Sequence, residues 1–152
     1  MRTIVELSIR YIHLTSAIVW FGGVFFTTII TIPIVRGNLD SQDLLKIHNR
    51  FRGIISLMIH ILYTTGAIVV FIVAWNNDMK LNAEYMIISG AKLAAFGLMA
   101  LFWGLYSSLY RKKLEVAPPN SNINIPTHIN LFGYLTLFSG IIVIALALLL
   151  RI

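Results

Sequence analysis

Residues 11–35 read YIHLTSAIVWFGGVFFTTIITIPIV, and from Tyr11 to Val35 they contain no Asp, Glu, Lys or Arg. At a helical rise of about 1.5 Å per residue such a run reaches roughly 37 Å, longer than the ~30 Å of hydrocarbon a membrane helix must cross. His13 stands near its start, Trp20 two turns on, and Gly22-Gly23 follows. An imidazole in hydrocarbon is costly unless paired, so an intramembrane histidine marks a functional position by default.

The remainder of the chain agrees with that run. The 152 residues are 58% hydrophobic and 12% charged, and a soluble domain of this size carries about twice that charged fraction. The absence of cysteine excludes thiolate metal sites, disulfides and thiol catalysis. A net charge of +6 would point to nucleic acid in a soluble protein. In an apolar chain it points instead to basic loops against an anionic membrane surface, with no nucleic-acid partner. The first apolar run exceeds an ordinary signal-peptide core and lacks a small-residue cleavage site, so it reads as a retained span.

Four spans follow, at about 7–35, 43–75, 85–110 and 128–150, within one integral membrane domain. Arg36-Gly37-Asn38 stops the first, and Asp40 or Ser41 is placed to cap a helix starting near Asp43. Asn76 through Lys80 reads as a turn, Arg111-Lys112-Lys113 ends the third span, and Pro118 through Pro126 reads as an extended loop. Short links make sequential spans antiparallel, giving an all-α, up-down four-helix bundle. Gly90, Gly97 and Gly104 recur every seven residues, as do Gly133, Gly140 and Ala147. Small-residue stripes let membrane helices approach closely, so spans three and four are expected to pair along them. Tyr11, Trp75, Tyr85, Tyr106 and Tyr110 read as interfacial aromatic residues.

His13, His60, Lys92 and Met99 are the candidate cofactor-binding residues, with His13, His60 and Met99 as candidate metal ligands. His13 shares a helical face with Glu6, Arg10, Ala17 and Trp20. It is either hydrogen-bonded to a neighbouring helix or a metal, haem or proton-handling group. Lys92, the single charge inside span three, either snorkels to the headgroups or holds an anion such as a haem propionate. His60 is the histidine furthest from either surface and lies at the depth of Met99; imidazole and thioether suit haem iron or copper. By depth, His13 groups with Lys92 in an outer site and His60 with Met99 in a deeper one. His48 and His128 fall at the boundary and read as interfacial polar residues. The catalytic residues, if any, are not legible, and no HExxH, Walker loop or serine-histidine-acid pattern occurs.

Taken together, His13 with Trp20-Phe21-Gly22-Gly23, Thr65-Gly66, Ala91-Lys92-Leu93, and Trp103-Gly104 running to Tyr110-Arg111-Lys112-Lys113-Leu114 with Pro118 beyond resemble the copper-resistance protein D (CopD) domain family. The layout is also similar to HemJ-type protoporphyrinogen oxidases, which share a first-span histidine and a third-span lysine; that resemblance implies haem b. The chain departs from them in lacking an acidic Asn-Glu-Val-Pro entry to the fourth span, and in having Trp103-Gly104 where they carry a further histidine. Haem is therefore implied more directly than protoporphyrinogen oxidation.

Three functions follow as expectations. One is a b-type haem protein exchanging electrons with quinone or a larger membrane complex, a redox role if it is an enzyme. Another is a copper-handling protein using Met58, His60, Met86 and Met99. The last is a cofactor-free accessory subunit; contact with lipid is common to all three, and self-association is compatible with each. The loops bearing Arg36, Lys46, Arg50, Arg52, Arg111, Lys112 and Lys113 outweigh the side bearing Arg2, Arg10, Lys80 and Arg151. This places both termini outside a plasma (inner) membrane. Single cysteines at Asn38, Asn77 and Asn120 test it: an impermeant thiol reagent added outside is expected to label only Asn77→Cys, and the opposite pattern reverses the orientation.

Overall fold

The structure is a computed structural model that describes residues 2–31, 40–118 and 126–149. Helix α1 (Arg2–Phe25) runs into a π-helical segment (Phe26–Thr31); α2 (Ser41–Asn76), α3 (Ala83–Val116) and α4 (Thr127–Leu149) follow. Each of the four is long and apolar enough to cross a membrane, and no strand occurs among the described residues. The expected all-α four-helix bundle is the fold. The end of span one expected at residues 32–35, its Arg36 stop and most of the proline-rich loop lie outside the described residues.

Helix ends follow local chemistry. Asp40 is the N-cap of α2 through its backbone, with Leu44 N–H donating to its carbonyl. Asn82 caps α3 with its side chain, accepting from Tyr85 N–H at 2.7 Å. After α2 the chain reverses through Asp78 and Met79, both at positive φ, while Met79 N–H closes onto the Ala74 carbonyl. One boundary differs from expectation: α3 continues to Val116, so Arg111, Lys112 and Lys113 lie within the helix. Lysine and arginine are good helix formers, and Arg111 pairs with Glu115 one turn on at 2.7 Å, so their charge does not break the helix.

Contacts fix the antiparallel order. Asn76 reaches Glu6, His13 meets Thr65, and Gly23 faces Phe51 and Ile55, which aligns α1 with α2. His48 meets Ser107 and Ser41 meets the Pro118 carbonyl, aligning α2 with α3. The Trp20 indole packs edge-on against Phe96, joining α1 to α3 across the bundle. The core threads through these contacts as Trp20, Val24, Ile55, Leu62, Met99, Trp103, Tyr106, Tyr110 and Leu137. The outward faces are apolar, with Leu7, Ile18, Leu57, Phe71, Leu101 and Phe138 exposed, as lipid contact requires.

Helices α3 and α4 do pack together, but only one of the two glycine stripes takes part. A Cβ at Gly140 would lie 2.7 Å from the Phe21 ring and 3.0 Å from Met99 Sδ; one at Gly133 would lie 2.9 Å from Thr28 Cγ2 and 3.4 Å from Tyr106. The α4 stripe therefore seats α1 and α3 at once. By contrast, Gly90, Gly97 and Gly104 have nothing within 4 Å of such a Cβ, and they lie opposite the buried Ala95, Met99, Trp103, Tyr106 and Tyr110. The large residues of α3 fill the hollow left by α4, so its own glycines turn outward. Tyr106 and Tyr110 are likewise core residues, stacked at 5.8 Å, whereas Tyr11 and Trp75 are exposed as expected for interfacial positions.

Gly140→Leu is expected to cost about 1–3 kcal/mol by overpacking, whereas Gly97→Leu stays close to the parent. Thermal unfolding in detergent checks this; equal loss at both positions would contradict the assignment of the seam.

Candidate functional site

His13 lies half-buried on the inner side of α1, where α2 supplies its partner. Its Nδ1 is 2.8 Å from Thr65 Oγ1. Thr65 has one hydroxyl proton and directs it to the Ile61 carbonyl at 2.6 Å, so Oγ1 accepts from His13 Nδ1–H. In the neutral ring, Nε2 then carries the lone pair. Gly66 faces the ring: a Cβ there would lie 3.4 Å from His13 Cε1, at van der Waals contact. Lys92, half-buried on α3, is near enough for its charge to act on His13. His13 thus bonds to α2 through Thr65 and lies within electrostatic reach of Lys92 on α3.

The deeper grouping is not formed. His60 is exposed on the outer face of α2, and its Nδ1 donates to the Ser56 carbonyl of the preceding turn at 2.7 Å. Met99 is buried in the core beside Phe21 and Gly140. An imidazole bonded to its own helix needs no partner across the bundle, which lets His60 face outward. His128 is also exposed.

The histidine the sequence undervalued is His48, only 4% exposed. Its Nε2 lies 3.2 Å from the Ser107 carbonyl and 3.1 Å from Ser107 Oγ. A carbonyl only accepts, so Nε2 carries the proton, and the ring also rests against Tyr110 at 4.9 Å. The periodicity holds the signal: Ser41, His48, Ile55 and Leu62 recur every seven residues, and all are buried. The neighbouring Lys46, Arg50 and Arg52 masked that stripe.

Two further polar atoms lie inside. Among the described residues, Trp20 Nε1 and Thr28 Oγ1 are buried without a hydrogen-bond partner. Trp20 is two turns along α1 from His13, so the helix carries an uncommitted imidazole lone pair and an uncommitted indole N–H on one face. The described residues contain no cluster of three or more His, Asp or Glu able to hold a metal ion. Chemically, the His13 position offers a single oriented nitrogen ligand with a cation close by.

Comparison with protein-family models, with curated proteins and with solved structures gives no match.

His48→Ala is expected to destabilise the bundle by about 2–4 kcal/mol, through a cavity and the lost bond to Ser107, while His60→Ala stays within about 0.5 kcal/mol. Thermal unfolding of the two variants in one detergent checks the contrast; equal losses would contradict the burial assigned here.

Proposed function

We propose that this chain is a multi-pass protein of the plasma (inner) membrane, similar to the CopD and HemJ-type groups, that binds haem b through His13 and exchanges electrons with quinone or a membrane partner. The observation that carries the reading is the His13–Thr65 bond. Metal-ligating histidines almost always give their second ring N–H to an acceptor, which fixes the tautomer and the ring plane. Thr65 supplies that acceptor, and Gly66 lies against the ring edge. His13 would supply the imidazole nitrogen that haem iron takes, and Trp20 Nε1 is a buried donor without an acceptor on the same helix. Lys92 is the residue to hold a propionate, by charge.

When bound, haem supplies one-electron Fe(III)/Fe(II) chemistry. The chain's own part would be to orient His13 through Thr65 and to keep the Lys92 cation within electrostatic reach of it. Of the three candidate metal ligands, His60 is exposed and Met99 buried, which supports His13 as the ligand. Copper handling through Met58, His60, Met86 and Met99 draws less support, because His60 and Met86 are exposed while Met99 is buried.

A visible spectrum of the protein, produced with haem available, tests the proposal. A Soret band is expected, lost in His13→Ala, shifted in Thr65→Val and retained in His48→Ala, His60→Ala and His128→Ala. Absence of the band, or its survival in His13→Ala, would overturn the reading.

A further inference from the structure

One outward face of α2 differs from the lipid-facing surfaces around it. Gly53, Ser56, His60, Tyr63 and Ala67 are all exposed. Their spacing by threes and fours puts them on one side of the helix, turned away from the buried Ile55, Leu62 and Thr65. The face carries no aliphatic side chain larger than alanine at these positions, whereas Leu7, Ile18, Leu101 and Phe138 typify the exposed surface elsewhere. At about 1.5 Å per residue Tyr63 stands ~15 Å beyond Gly53, where the apolar part of α2 begins. The patch therefore lies near the middle of the ~30 Å of hydrocarbon. Polar side chains turned outward at that depth call for a partner.

Both halves of a hydrogen bond are left over on this face. His60 Nδ1 donates to the Ser56 carbonyl, so in the neutral ring Nε2 carries a lone pair that no bond among the described residues uses. Tyr63 is 63% exposed, and its hydroxyl has no partner among the described residues. A second copy of the chain inserts the same way round, so its α2 runs parallel and equal levels meet across a twofold axis. Helical side chains lean toward the N-terminus, which carries Tyr63 back to the level of His60. The Tyr63 hydroxyl of each copy can then donate to Nε2 of the other copy's His60, and the twofold closes the bond twice. Gly53, Ser56 and Ala67 are small enough for the two backbones to approach, and alternating three- and four-residue spacing is that of a left-handed parallel pair. A lipid chain has no donor for the imidazole, whereas a second copy brings both groups already placed.

We propose that this face of α2 is a homodimer interface within the membrane: two copies pack α2 against α2 in parallel, joined by reciprocal Tyr63–His60 hydrogen bonds over a seam of Gly53, Ser56 and Ala67. The haem reading is not needed for it, since His13 and Lys92 lie on other helices. Each hydrogen bond between membrane helices contributes roughly threefold to an association constant, so the symmetric pair contributes about tenfold.

The chain has no cysteine, so single-cysteine variants of the full chain in liposomes report the face cleanly. Copper-phenanthroline oxidation is expected to join Ala67→Cys into a covalent dimer and to leave Ile68→Cys, exposed on another side of α2, monomeric. Energy transfer between donor- and acceptor-labelled copies, followed as the protein is diluted with lipid, gives the association constant. It should fall about tenfold in Tyr63→Phe and in His60→Leu, with no further fall when the two are combined, and more steeply in Ala67→Leu. Ile68→Leu should match the parent. A parent that is monomeric at every dilution, equal cross-linking at positions 67 and 68, or an association constant indifferent to Tyr63→Phe would overturn the proposal.

Discussion

The close approach at Gly133 and Gly140 is the constraint on which the rest of the bundle depends. Lipid chains are as apolar as leucine, so membrane helices gain little from burying apolar surface against one another; they are held by dispersion between well-fitted surfaces. The two glycines of α4 provide that fit. They accept Phe21 of α1 and Thr28 of the π-helical segment that follows it, and Met99 and Tyr106 from α3, each pair seven residues apart. This double seat fixes the height of α1 against α3. Trp20 against Phe96 holds the same register.

Many hydroxyl groups of the helices are answered locally. Thr27, Thr64, Thr136 and Ser139 each return a hydroxyl proton to the carbonyl four residues earlier. Such bonds satisfy a side chain without joining helices. The two histidine bonds are informative because they cross between helices: His13 to Thr65 and His48 to Ser107. They lie in different layers and hold opposite tautomers. His13 keeps Nε2 uncommitted, whereas His48 gives its Nε2 proton to a carbonyl and is locked by Tyr110. Opposite tautomers suit one ring to receive a ligand and the other to tie α2 to α3.

Much of this architecture was legible in the sequence because it rests on length and hydropathy. The four spans and the antiparallel order required only counting along helices. Facing was harder. Glycine periodicity was readable on both α3 and α4, but sequence alone does not say which stripe meets a neighbour; the answer depends on where Met99, Trp103 and Tyr106 find room. His60 was ranked by depth, and depth does not give azimuth. His48 was discounted for its charged neighbours, although the seven-residue repeat through Ser41, Ile55 and Leu62 placed it inside. Helix ends set by charge also misled, since Arg111 and Glu115 extend α3 instead of ending it.

The central claim is that His13 is held by its Nδ1 proton, with Nε2 left free to bind. Nitrogen-15 NMR of the protein labelled at histidine, prepared without added haem or metal and assigned with a His13→Gln variant, reads the tautomer directly. The account predicts a proton on Nδ1 and a bare Nε2 at His13 in the parent, with that preference lost in Thr65→Val. A proton on Nε2 in the parent, or a signal indifferent to Thr65, would contradict it.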